Sequence, residues 1–339
     1  MRKKARPRGV RWTVVAAAAA AVATTSLVLF VGCDRNDGAA NSSTRAGSSK
    51  PSSAQVIPAV SNGPRRVEND PGKLLFAAML DRNLSEVAKV LDQHPGLVNQ
   101  PINDSPPLWT ACEWRAMPLV KLLVEKGADV KLRDEAGDTA LWAAVSSGSM
   151  PIVKYLIEKG LDPKTSQEDD ETLLWVADTR EMAAFLIDAG VDPKHKDRFG
   201  DTALHQACRH SLRDVVELLL DKGLNIEEPG HWGMRPLHSA ASTVTGEPRP
   251  VVDLLLQRGA DINSRGYNGH TALHECALYN RLDMANRLLA RGARVDLKDN
   301  DGRTPKDIAV FAGQNERARL INLLIQHGAG GQLIPIPKQ

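Results

Sequence analysis

Aromatic side chains are scarce: phenylalanine, tyrosine and tryptophan together make up 4% of the 339 residues. A core of large rings is excluded, and each ring present can be weighed by its position. Cysteine is rarer still, with four in the chain. Cys33, Cys112, Cys208 and Cys276 fit no zinc-ligand spacing, and the last three fall in apolar helical stretches, where a thiol packs as a small apolar group. No catalytic signature is present: there is no G-x-S-x-G, no H-E-x-x-H, no phosphate loop and no G-x-G-x-x-G. An excess of positive charge is also missing from the body of the chain. Arg2, Lys3, Lys4, Arg6, Arg8 and Arg11 precede the first long apolar stretch, and without residues 1–32 the 43 basic residues fall to 37 against 41 acidic ones. A mildly acidic body has no electrostatic attraction for nucleic acid. No enzyme, cofactor, metal or nucleic-acid partner is expected.

What is there begins with an address. Residues 1–11 are basic, residues 12–32 are apolar or small, and the stretch ends Phe30-Val31-Gly32-Cys33. That order describes a secretory signal, and its ending resembles a bacterial lipoprotein signal, which implies lipid attachment at Cys33. An uncleaved single span is a second reading, since about 20 apolar residues can cross a bilayer. Soluble export after ordinary cleavage is a third. Each places the body outside the cytoplasm. Asp34, just after the cysteine, resembles a retention signal for the inner membrane. Residues 33–70 are rich in Ser, Ala, Asn, Gly and Pro and read as a disordered tether of about 30–35 Å root-mean-square span.

From Leu74 onward one pattern recurs. Strong starts are Thr139-Ala140-Leu141-Trp142, Thr202-Ala203-Leu204-His205, Arg235-Pro236-Leu237-His238 and Thr271-Ala272-Leu273-His274. Weaker ones begin at Pro106, Thr172 and Thr304. The steps between starts are 33, 33, 30, 33, 36 and 33 residues. A second landmark keeps register: Gly127, Gly160, Gly190, Gly223, Gly259, Gly292 and Gly328 each follow an apolar run, where glycine can close a helix. This pattern resembles the ankyrin repeat. The resemblance implies an all-α solenoid of stacked helix-turn-helix repeats with β-hairpin fingers. It fills residues 71–330 with about eight repeats and leaves 331–339 as a tail. One repeat cannot bury its apolar face alone, so repeats stack, and the terminal ones are atypical: the first lacks a preceding finger, and the last has Lys306-Asp307 in place of Leu-His. The 30-residue repeat from Thr172 is expected to be short between its helices, and the repeat from Arg235 to carry extra residues around 245–248.

Several residues invite a chemical reading. His205, His238 and His274 recur at the fourth position, and their resemblance to the structural ankyrin histidine implies hydrogen bonds to a neighbouring backbone rather than a metal. Trp109, Trp142 and Trp175 take that position in three successive repeats. Core packing is the expectation, which removes the histidine bond; an exported small-ligand or divalent-ion protein using these Trp-rich repeats is the alternative. Residues 299–302 look like part of a calcium loop but lack an acid at Leu297. The acidic run 168–171 reads as a charged finger.

The resemblance also implies binding through finger tips and the exposed ends of first helices. In register these are Arg198, Phe199, Asp201, Arg209 and His210, then His231, Trp232, Met234, Ser242 and Thr243, then Tyr267, Asn268, His270, Leu278 and Tyr279. The flanking repeat offers only Glu135, Ala136, Asp138, Ser146 and Ser147, with Trp114 as an outlying ring. Aromatics and Arg dominate interface energetics. The chain therefore reads as a monomeric scaffold for an unidentified protein partner, held to a membrane of the bacterial cell envelope by a lipid anchor.

Overall fold

A computed structural model describes residues 70–165, 170–242, 249–313, 315 and 317–333. They belong to one of two units of the chain, Arg65–Gln339. The signal segment, Cys33, the tether as far as residue 69, Thr243, Glu168, Asp169 and the extra residues around 245–248 lie outside the described residues.

Helices come in pairs. The first pair is α1 (Pro71–Leu80) and α2 (Leu84–Gln93), followed by α3 (Pro107–Glu113) with α4 (Met117–Glu125) and α5 (Ala140–Ser146) with α6 (Met150–Glu158). Next stands α7 (Arg180–Asp188), preceded by a single 3₁₀ turn, Leu173–Trp175. Then come α8 (Ala203–Arg209) with α9 (Arg213–Asp221), α10 (Pro236–Ala241) with α11 (Arg249–Gln257), α12 (Ala272–Leu278) with α13 (Leu282–Ala290), and α14 (Pro305–Phe311) with α15 (Ala318–Gln326). First helices pack on first helices, α3 on α5, α8 on α10, α10 on α12 and α12 on α14. Second helices likewise form a row, α2 on α4, α4 on α6, α7 on α9, α9 on α11 and α13 on α15.

The sequence register explains the stack. The third-position leucines Leu108, Leu141, Leu174, Leu204, Leu237 and Leu273 are all at most 3% exposed, and burying such a side chain stabilises by about 1.5–3 kcal/mol. Each second helix after α2 repeats a buried pair and its i+4 partner, as in Leu119, Val120 and Leu123 or Val215, Val216 and Leu219. Thr139 caps α5, its Oγ1 accepting from the Trp142 N–H at 3.2 Å. The seven glycines that follow second helices all adopt positive φ, from 82° to 99°, a conformation that closes the last turn at little cost only for glycine.

Two expectations need correcting in detail. The fourth repeat is not merely short between its helices: the shortening consumes the first helix, leaving the 3₁₀ turn Leu173–Trp175, after which Thr179 caps α7 through the Met182 N–H at 3.2 Å. The fingers are turns rather than β-hairpins, and no strand occurs among the described residues. Single bridges pair Arg133 with Thr139 and Lys196 with Thr202. One ladder step is too little to make a strand; the tip is closed by a side chain instead. Asp197 Oδ1 accepts from the Phe199 and Asp201 N–H groups at 2.9 and 2.7 Å, and Asp134 and Asp299 do the same in their own fingers.

Candidate protein-recognition face

The recurring histidines brace the fingers. His205 Nδ1 accepts from the Thr202 N–H at 3.2 Å, while Nε2 lies 3.0 Å from the Glu228 carbonyl and 3.2 Å from that of Met234, both in the following finger. A ring that accepts at Nδ1 and donates at Nε2 is the neutral tautomer. His238 makes the same bonds to Ser264 and His270, and His274 to Arg303. Burial lowers the proton affinity of all three, and that of His274 falls to about 4. Among the described residues no three His, Cys, Asp or Glu side chains are placed to hold a metal.

The three tryptophans differ. Trp142 is buried, and Trp109 and Trp175 pack half-buried against the core. The indole N–H groups of Trp109 and Trp175 are buried without an acceptor. The rings therefore fill space between repeats and make no bond corresponding to the histidine one, and nothing supports the small-ligand reading. Cys112, Cys208 and Cys276 are buried, and burial pushes their thiols far up, away from the reactive thiolate.

The finger tips carry a continuous ladder of rings. The Arg198 guanidinium sits 4.6 Å from the centre of Phe199. Phe199 and His231 lie 5.0 Å apart, His231 and Trp232 4.1 Å, and Trp232 and Tyr267 5.0 Å. Phe199, Trp232 and Tyr267 are 45%, 68% and 49% exposed. Trp232 also has φ 53° and ψ 25°, a left-handed conformation that is a genuine outlier for a bulky residue and costs of order 1–3 kcal/mol. The next finger places Asn268 there, with φ 51°, and asparagine tolerates it.

Close packing below aims this turn. Asp201 Oδ1 accepts from the His231 N–H at 2.7 Å, and its Oδ2 accepts from Arg209 at 2.8 Å. Burial raises the Asp201 carboxyl, but these donors outweigh it and hold the group below its ordinary value. A Cβ on Gly230 would overlap Asp201 Oδ1 and stand 2.7 Å from His205 Nε2, so only glycine fits there.

The structure brings Arg198, Phe199, His231, Trp232 and Tyr267 together, with Asn268 beside them. His270 is a correction: it is buried at the finger base. Its ring lies 2.9 Å from Glu275 Oε1 and 3.5 Å from Asp299 Oδ2, stacked on His274 at 5.4 Å. Asp201 is likewise buried, Met234 is half-buried, and Arg209 is drawn in by Asp201. Asp201, Met234 and His270 each stand just before the N-cap of a first helix, where neighbouring repeats close over them, whereas Arg209 ends its helix. Trp114 packs on Phe76 at 5.9 Å rather than standing free. His210 is exposed beside Gln206, and Ser242 is half-buried. Leu278 and Tyr279 are exposed at the far end of their first helix, about 10 Å away at 1.5 Å per residue. Phe311, the most exposed large apolar side chain among the described residues, escaped sequence reasoning. It stands one 33-residue step beyond Leu278, so the repeat register itself could have found it.

The ring spacing limits what can bind. A planar ligand slotted between two rings needs about 7 Å, twice a carbon contact distance of about 3.5 Å. At 4.1–5.0 Å the rings use one another's faces and offer edges. That suits apolar and cationic side chains better than an intercalated base.

A family model described as ankyrin repeats matches residues 74–167, 173–266 and 245–332. Among curated proteins, the mouse B-cell lymphoma 3 protein homolog is 30% identical over 154 residues, 44% of this chain and 26% of that protein. Serine/threonine-protein kinase 12 of Arabidopsis thaliana is 44% identical over 55 residues, 16% of this chain and 12% of that protein. The chain thus spans a minor part of either relative, and no activity transfers from them. Among solved structures, the human ASB11 ankyrin repeat domain superposes with a TM-score of 0.56 at 21% identity, covering 67% of this chain and all of that one. No helix among the described residues is long and apolar enough to cross a membrane.

Proposed function

The chain belongs to the ankyrin-repeat family, and from that premise we propose that it is a protein-recognition scaffold without enzymatic activity. Its contact surface is the finger-tip ladder of Arg198, Phe199, His231, Trp232 and Tyr267. The observation that carries this reading is Trp232: a large ring, 68% exposed, held in a costly backbone conformation between two other rings. Strain and exposed apolar area both oppose stability, and a binding role gives each a use. Residues 1–32 export the chain, Cys33 carries the lipid, and the tether holds the repeats clear of a bacterial envelope membrane, where a monomer meets its partner.

The full chain serves as bait on envelope extract, beside a Phe199→Ala/Trp232→Ala/Tyr267→Ala variant whose folding is checked by circular dichroism. A protein retained by the first and lost from the folded second, then confirmed by titration with purified components, supports the ladder. Equal retention by both moves the contact elsewhere. Anchoring is tested apart from it: labelled palmitate should enter the wild-type chain and not Cys33→Ser, and no incorporation into either removes the lipid anchor from the proposal.

A further inference from the structure

Two buried ionisable side chains meet in the repeat from Thr271, at positions that hold other residues in the two repeats before it. The position just before the helix-start residue is Asp201, Met234 and then His270, and the position four after it is Gln206, Ser239 and then Glu275. His270 is 6% exposed and Glu275 4%. Groups that can carry charge are rarely buried so deeply unless they are paired.

The His270 ring stands between carboxylates from two repeats. Its Nδ1 lies 2.9 Å from Glu275 Oε1 on α12. Its Nε2, which makes no hydrogen bond, lies 3.5 Å from Asp299 Oδ2 at the base of the last finger. A neutral imidazole has one N–H. Donated to Glu275, that proton leaves the Nε2 lone pair facing Asp299, acceptor against acceptor. Only the doubly protonated ring attracts both carboxylates. The remaining neighbours accommodate that charge. His274, stacked on the ring at 5.4 Å, is kept neutral by burial, so the stack pairs one cation with one neutral ring. Arg303 donates to Asp299 through Nε at 3.0 Å and also pairs with Asp301. On the ring's own finger, Tyr267 lies 6.4 Å away, and Arg265 donates to the Gly269 and Lys298 carbonyls at 3.1 and 2.7 Å. From α10, His238 Nε2 lies 3.0 Å from the His270 carbonyl. Beyond this cluster the two fingers meet at their tips. The Asn300 N–H donates to the Asn268 carbonyl at 2.9 Å, and Asn268 Nδ2 donates to Asp301 Oδ2 at 2.9 Å.

We infer that Glu275, His270 and Asp299 form a proton-dependent clasp: the doubly protonated ring joins α12 to the last finger, and loss of one proton loosens the Asn268–Asn300 contact. The clasp is independent of what the ladder binds. Histidine is the side chain whose charge ordinarily changes between pH 5 and 8. A contact that needs the proton is present at lower pH and lost as pH rises, the opposite sign to the three bridging histidines. Amide exchange and ring nitrogen NMR of the full chain, followed from pH 5.5 to 9, test it. After correction for the intrinsic pH dependence of exchange, protection of the Asn300 amide should fall about ten-fold as His270 loses its second proton. The Gly230 amide, which closes a finger without a clasp, should show no step. Glu275→Gln keeps the acceptor but drops the charge, and should move the step to lower pH. His270→Asn should show low Asn300 protection at every pH; if that variant does not fold, Glu275→Gln carries the comparison. Asn300 protection that stays level while the ring titrates overturns the inference. So does a ring holding one proton, or both, at every pH, and so does an equal step at Gly230, which would mark general loosening.

Discussion

The repeats from Pro106, Thr139 and Thr172 and those from Thr202, Arg235 and Thr271 share one helical register and solve the same problem differently. In the later three a buried histidine spans two repeats, tying its own helix start to carbonyls of the next finger. In the earlier three a tryptophan fills that place, and two of the indoles leave an N–H without an acceptor. All rings of the finger-tip ladder stand on the histidine side. The difference teaches that exposed contact residues are mounted where the neighbouring fingers are cross-braced, while the tryptophan side relies on packing area alone.

Acid is the strongest way to break the comparison. The folded value of His274 is about 4 against an ordinary 6.5, so the unfolded chain takes the proton first. The stability supplied by the neutral ring is complete above about pH 6.5 and is lost as pH falls toward 4, by about 3 kcal/mol for this residue at about 1.4 kcal/mol per pKa unit. His205 and His238 shift in the same direction. Pulsed hydrogen exchange at pH 4.5 should show α8, α10 and α12 opening before α3 and α5; uniform opening would deny the histidines their separate role. Next in size, His238→Ala removes three bonds from a buried site and should cost about 2 kcal/mol in urea unfolding, with lost protection centred on α10 and α12. A loss below about 0.5 kcal/mol would mean that packing, not the bridge, joins those repeats.

Smaller effects sharpen the contrast. Trp232→Asn should raise stability by about 1 kcal/mol by relieving the left-handed conformation, while weakening partner binding in the same preparation. Lower stability with intact binding would count against the ladder as a strained contact surface. Trp109→Phe keeps one aromatic ring and deletes the pyrrole ring with its buried donor. It should leave thermal stability unchanged or raised by less than about 1 kcal/mol, and a clear drop in melting temperature would reveal an acceptor for that indole.

How much of this was legible in the sequence depends on depth. The leucines, glycines and histidines repeat because identical packing demands identical residues, so their positions along the repeat also gave their surroundings. The finger tips have no such constraint. All three fingers make the same closing backbone bond, Asp197 to Asp201 at 2.9 Å and Gly230 to Met234 and Gly266 to His270 at 2.8 Å, and Asp197 adds its side chain. Burial changes within two residues of one finger: the position three before the helix-start residue is exposed at Phe199 and Trp232, while the position just before it is buried or half-buried at Asp201, Met234 and His270. Treating both positions as tips is why the expected exposure is found at Trp232 and not at His270. The lost helix of the fourth repeat was visible only as three missing residues, and sequence spacing cannot say which segment absorbs a deletion.

That lost helix has a mechanical consequence. In a linear array each interface bears the load of the whole, and stability is a chain of nearest-neighbour terms. Between α5 and α8 the first-helix row is reduced to a three-residue turn, so the coupling there is the thinnest in the series. Pulled from its two ends, the array would part at this fuse first, and the braced block bearing the ladder would come away whole.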